Sequence, residues 1–133
     1  MEHRTAPYAL ARIIDLSYDE ADRRVRDALQ AEGFGVLTEI DVSATLKQKL
    51  DVDFPRYEIL GACNPPLAHQ ALTAEPDIGL LLPCNVVVRA LPDGKTVVEA
   101  LDPVVQLGAA DNPELRPLAE DVRARMQRVI ENV

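Results

Sequence analysis

Leu115, Leu118, Ala119, Val122, Met126, Val129, Ile130 and Val133 recur at three- and four-residue spacing, the clearest periodicity in the chain. The stripe predicts a long final helix with one apolar face, opened by Asn112 as cap and Pro113 at the first helical position. Ala21, Val25, Ala28 and Leu29 draw a similar stripe behind Ser17, with Glu20 three residues on as a capping box and Gly33 as a stop. Runs of β-forming residues predict strands over 8–14, 34–40 and 57–63, a short helix over 43–50, and a helix from Asn64-Pro65 to about Glu75. Residues 78–91 read as one long β-rich run broken at Pro83, where a bulge or a sheet edge is expected because Pro cannot donate to a ladder. Pro92-Asp93-Gly94-Lys95 turns the chain back into a strand over 96–101, and 102–110 reads as irregular. No linker or repeat divides these elements. The expectation is one α+β domain over residues 1–133, with helices packed on one face of a single antiparallel sheet and residues 1–7 as a flexible start.

Alternation assigns faces. Tyr57, Ile59, Gly61 and Cys63 share one side of their strand; Glu58, Leu60, Ala62 and Asn64 share the other. In the later strand Cys84, Val86, Val88 and Ala90 lie opposite Asn85, Val87, Arg89 and Leu91. If charge marks the outer side, both cysteines point to the core, and Leu60, Val87 and Leu91 leave an apolar strip outside. A homodimer is the simplest cover for such a strip.

The chain has 133 residues, 47% of them hydrophobic, but aromatic content is 4% and Trp is absent, so the core must be aliphatic. A formal net charge of −8 argues against nucleic-acid or anionic-membrane partners. Arg23, Arg24 and Arg26 are interleaved with Asp19, Glu20, Asp22 and Asp27 and read as a solvated helix face. The start lacks the apolar segment of a secretory signal, and no window approaches a membrane span, so a cytoplasmic protein with reduced thiols is expected.

Candidate chemistry centres on Gly61-Ala62-Cys63-Asn64-Pro65 and Leu82-Pro83-Cys84-Asn85, which hold both cysteines. They read first as small buried hydrophobes. Cys63 also precedes a helix N-terminus, where a thiolate is stabilised, and would come within disulfide reach of Cys84 if their strands pair. Cys63, His69 and Cys84 lack the tight spacing of common zinc sites, so no metal centre is assigned. Asn64 reads as a helix cap. Asn85 either satisfies backbone broken by Pro83 or faces a ligand. Glu39, Asp41 and Lys49 form a second polar constellation, in which Asp41 or Ser43 also suits the cap of the following helix. There is no nucleophile elbow, phosphate loop or dinucleotide fingerprint.

These segments carry a resemblance. Gly35-Val36-Leu37-Thr38-Glu39-Ile40-Asp41, Lys49-Leu50, Tyr57-Glu58-Ile59-Leu60-Gly61-Ala62-Cys63-Asn64-Pro65, Ala68, Ala71-Leu72, Ile78-Gly79-Leu80-Leu81-Leu82-Pro83-Cys84-Asn85-Val86 and Asp102-Pro103 together resemble domain-of-unknown-function family 302. The resemblance runs from about Tyr8 to the last helix. It implies one curved antiparallel sheet with helices, similar in shape to TATA-binding protein, together with prokaryotic origin and frequent dimers. It implies no activity and no cofactor. The functional expectation is a non-catalytic homodimer that binds a small molecule or a protein, with Cys63, Asn64, Cys84, Asn85, Glu39 and Lys49 as candidate ligand contacts. The alternatives are a thiol-dependent redox or sulfur-handling protein using Cys63 and Cys84, and a small acid–base enzyme using Glu39, Asp41 and Lys49.

Overall fold

The computed structural model describes residues 5–133. Of the expected flexible start, residues 1–4 lie outside the described residues, while Ala6 O already accepts from Ala9 N at 3.0 Å. Five strands, β1 (Ala9–Ile14), β2 (Gly35–Asp41), β3 (Tyr57–Cys63), β4 (Cys84–Ala90) and β5 (Thr96–Leu101), form one antiparallel sheet in the order β1-β5-β4-β3-β2. The helices are α1 (Tyr18–Ala31), α2 (Val42–Leu50), α3 (Pro65–Ala74), α4 (Pro103–Gly108) and α5 (Arg116–Glu131).

The expected helix signals act locally. Ser17 Oγ accepts from Glu20 N at 3.3 Å, but the return bond of a capping box is not made, since the Glu20 carboxylate pairs with Arg23 and Arg24 instead. Asp41 caps α2, accepting from Ala44 N and Ser43 Oγ at 2.9 Å each. Asn112 caps a 3-10 turn, Pro113–Leu115, that leads into α5. At the far end of α5, Arg12 of β1 donates to Glu131 O at 2.9 Å and Val133 O at 3.2 Å, placing a cation where the helix has free carbonyls.

α1 and α5 cover one sheet face. Their stripes, Ala21, Val25, Ala28 and Leu29 with Val122, Met126, Val129 and Ile130, close over Leu10, Ile14, Leu60, Ala62, Val86, Val88, Val98 and Ala100. Val122 and Met126 are buried as their stripe predicts, whereas Leu118 is half-buried. Arg123 is exposed but donates to Asp102, and Arg125 is only partly exposed and pairs with Asp121.

Three expectations need correction. Residues 78–81 are not strand: Pro76–Leu81 is a 3-10 turn anchored by fully buried Ile78, while Leu80 stands 89% exposed, so its apolar run is not a sheet run. Pro83 forms a cis bond with Leu82 immediately before β4, a central strand; the bulge lies elsewhere, between Val36 and Thr38 of β2. Residues 103–108, read as irregular, form α4, capped by Asp102 Oδ1.

The face of β3 is also reversed. Cys84 pairs with Ala62 and Val86 with Leu60, which puts Leu60 and Ala62 in the core and Cys63 on the opposite side. Glu58 misleads because it sits on the helix-covered face, beneath α1. Its Oε1 is buried without a hydrogen-bond partner, and its other oxygen lies 3.9 Å from Arg26. Burial, reinforced by the neighbouring Asp22 carboxylate, pushes its carboxyl up to about 8, against the pull of the Tyr18 hydroxyl and Arg26.

No helix among the described residues is long and apolar enough to cross a membrane. The other sheet face carries Ile13, Ile40, Ile59, Val87 and the Arg89–Glu99 pair, and none of the residues of α2 is buried.

Candidate functional site

The end of the sheet where β3 and β4 meet α3 holds an apolar cavity of about 310 Å³. Phe34, Ala62, Cys84 and Leu67 form its inner wall, Leu107 of α4 with Leu118 and Val122 of α5 close another side, and Leu37, Thr38, Ala68 and Leu72 stand at its solvent edge. Such a volume is at the lower end of small-ligand sites.

Backbone geometry brings these walls together. Asn64 caps α3, accepting from Leu67 N at 3.5 Å, and its amide donates to Glu32 O at 3.3 Å. This fastens α3 to the end of α1. Gly61 is required by close approach: a Cβ there would run into Thr38 Oγ1 and lie 2.9 Å from Pro83 Cγ. With no side chain at 61, Thr38 and Pro83 close over β3 beside the cavity.

Cys84 and Gln106 form its polar seam. Cys84 Sγ donates to Gln106 Oε1 at 3.1 Å, and Gln106 Nε2 donates to Leu81 O at 2.5 Å and Pro83 O at 3.3 Å. The buried glutamine thus ties the segment around the Leu82–Pro83 bond to α4. Burial pushes the Cys84 thiol up to about 11, so it is not a thiolate at neutral pH. Both cysteines are free. They line the same cavity although they lie on opposite sheet faces, because β3 ends there.

Cys63, Asn64 and Cys84 are therefore brought together. Asn85 is not: it is exposed on the open sheet face, opposite Gly61. Glu39 lies on the edge strand β2 and pairs with Arg26, Asp41 is occupied as a cap, and Lys49 is exposed on α2. None of these three lines the cavity. His69 is exposed on α3, and no cluster of three or more potential metal ligands occurs among the described residues.

Gln106, Leu107 and Phe34 were not among the sequence candidates. Asp102-Pro103 repeats the Asn64-Pro65 and Asn112-Pro113 pattern, and that signal would have revealed α4 and hence Gln106.

No curated protein matches the chain. Among solved structures, it is similar to an uncharacterized conserved DUF302 protein from Bacillus stearothermophilus, with 29% identity and a TM-score of 0.88 over 96% of this chain and 98% of that one. The family described as "Domain of unknown function DUF302" matches residues 11–133, and with the cavity-forming segments inside that span, the chain belongs to the DUF302 family.

Proposed function

We propose that this protein is a non-catalytic binding module that holds a small apolar molecule in the cavity beneath α3. The cavity itself carries the reading: about 310 Å³, with a largely aliphatic wall drawn from three helices and three strands. The direct test is titration with a neutral fluorescent reporter such as N-phenyl-1-naphthylamine. Ala68, half-exposed at the solvent edge, is the position for a blocking variant. Reporter emission should rise saturably with the wild-type protein and fall at least tenfold in affinity with Ala68→Trp, while the melting curve barely moves. Equal binding by both proteins, or none by the wild type, sinks the reading.

The reading includes a homodimer in the reducing cytoplasm. Its support is the sheet face opposite α1 and α5, where Ile13 and Ile40 are exposed beside half-buried Ile59 and Val87, together with the unburied α2. Sedimentation at tens of micromolar should give about twice the 14.6 kDa chain mass, and Val87→Glu should halve it. A wild-type monomer at that concentration removes the dimer.

A further inference from the structure

We infer that the ligand is a single aliphatic chain of on the order of ten carbons, bound without recognition of its polar end. This rests on the binding reading above and goes further by naming the ligand class.

The argument starts from the polar atoms of the wall. Asn64 uses its oxygen on Leu67 N and its amide on Glu32 O. Gln106 gives its amide to Leu81 O and Pro83 O, and accepts the Cys84 thiol. Every deep polar side chain is thus already partnered by the protein. A ligand hydroxyl or carboxylate pushed inward would find no free partner and would be desolvated without compensation. The remaining polar side chains, Thr38 and Cys63, are exposed or half-exposed, so they stand towards solvent. Among the described residues, no charged side chain lines the cavity, so a ligand's charge is neither attracted nor repelled by its wall.

What remains is volume. A methylene occupies about the same space as a water molecule, about 30 Å³, so 310 Å³ holds on the order of ten. The hydrocarbon fills the cavity and its polar end emerges near Thr38, in bulk water. Affinity then follows chain length, and the chemistry of the head is silent.

The test is displacement of the same neutral reporter by hexanol, octanol, decanol and dodecanol, and by decanoate and methyl decanoate, all below their aggregation concentrations. Each added methylene should tighten binding about three- to fourfold up to about ten carbons, with a plateau beyond. Decanol, decanoate and methyl decanoate should agree within threefold, and Ala68→Trp should abolish all of them together. A more than tenfold preference for one head group, or affinity independent of length, overturns the inference while reporter binding keeps the cavity reading intact. Reporter release that follows protein concentration instead of alcohol would seat a neighbouring copy in the cavity and also overturns it. A wild-type protein that binds no reporter defeats both readings at once.

Discussion

Replacing Glu58 by Gln isolates a carboxyl that this fold buries without a full set of partners. In the folded chain it is pushed from 4.5 up to about 8. Below pH 4.5 the folded and unfolded chains both hold the proton. Between 4.5 and 8 the unfolded chain releases it while the folded chain keeps it, so stability falls as pH rises. Above 8 both are ionised and the folded chain carries the whole difference. At about 1.4 kcal/mol per pH unit the gap corresponds to about 5 kcal/mol. The side chain retains 14% of its exposure, and discounting for solvent screening leaves about 2–3 kcal/mol. Glu58→Gln mimics the protonated form at every pH. Urea unfolding of both proteins at pH 5 and pH 9 should show the wild type losing about 2–3 kcal/mol relative to the variant. A difference constant with pH to within about 0.5 kcal/mol, or one that moves in the wild type's favour at high pH, refutes the burial argument.

Gly61→Ala should cost about 1–3 kcal/mol in thermal or urea unfolding, because its Cβ meets Thr38 and Pro83, whereas Gly79→Ala meets nothing within 4 Å and should cost far less. Val122→Asp sets a carboxyl against Met126 in the core and should cost at least about 3 kcal/mol or unfold the chain. Arg123→Ala loses an exposed pair with Asp102 and should cost under about 1 kcal/mol, so equal melts for these two variants would misplace α5. A maleimide should modify Cys63 in the native protein and reach Cys84 only after denaturation, as read by peptide mass; early labelling of Cys84 would contradict its burial.

The helices were legible because their information is local. Ser17, Asp41 and Asn64 cap where their side-chain chemistry says they should, Asn112 caps the 3-10 turn ahead of α5 and not α5 itself, and the α5 stripe faces the sheet. The faces of β3 were not legible, because Glu58 is sheltered by Tyr18, Asp22 and Arg26 from another element, and no pattern within 57–63 records that shelter. Residues 78–81 failed for the converse reason: Leu80 is apolar yet exposed, so hydrophobicity alone misassigned a turn as strand. The nearness of Cys63, Asn64 and Cys84 was legible because two strand ends carry them. The cavity as a whole was not, since its walls come from separate segments that only the fold brings together.

The strand order has a consequence for a growing or broken chain. β1 has a single neighbour in the sheet, β5, and residues 9–14 wait for residues 96–101 before they can pair. During synthesis the first strand to emerge is therefore among the last to be seated, and its apolar side stays without a sheet until most of the chain has left the ribosome. The same dependence makes damage asymmetric. A chain that ends before Thr96 lacks one strand in sequence but two in the sheet, because the place that β1 would have taken is never built.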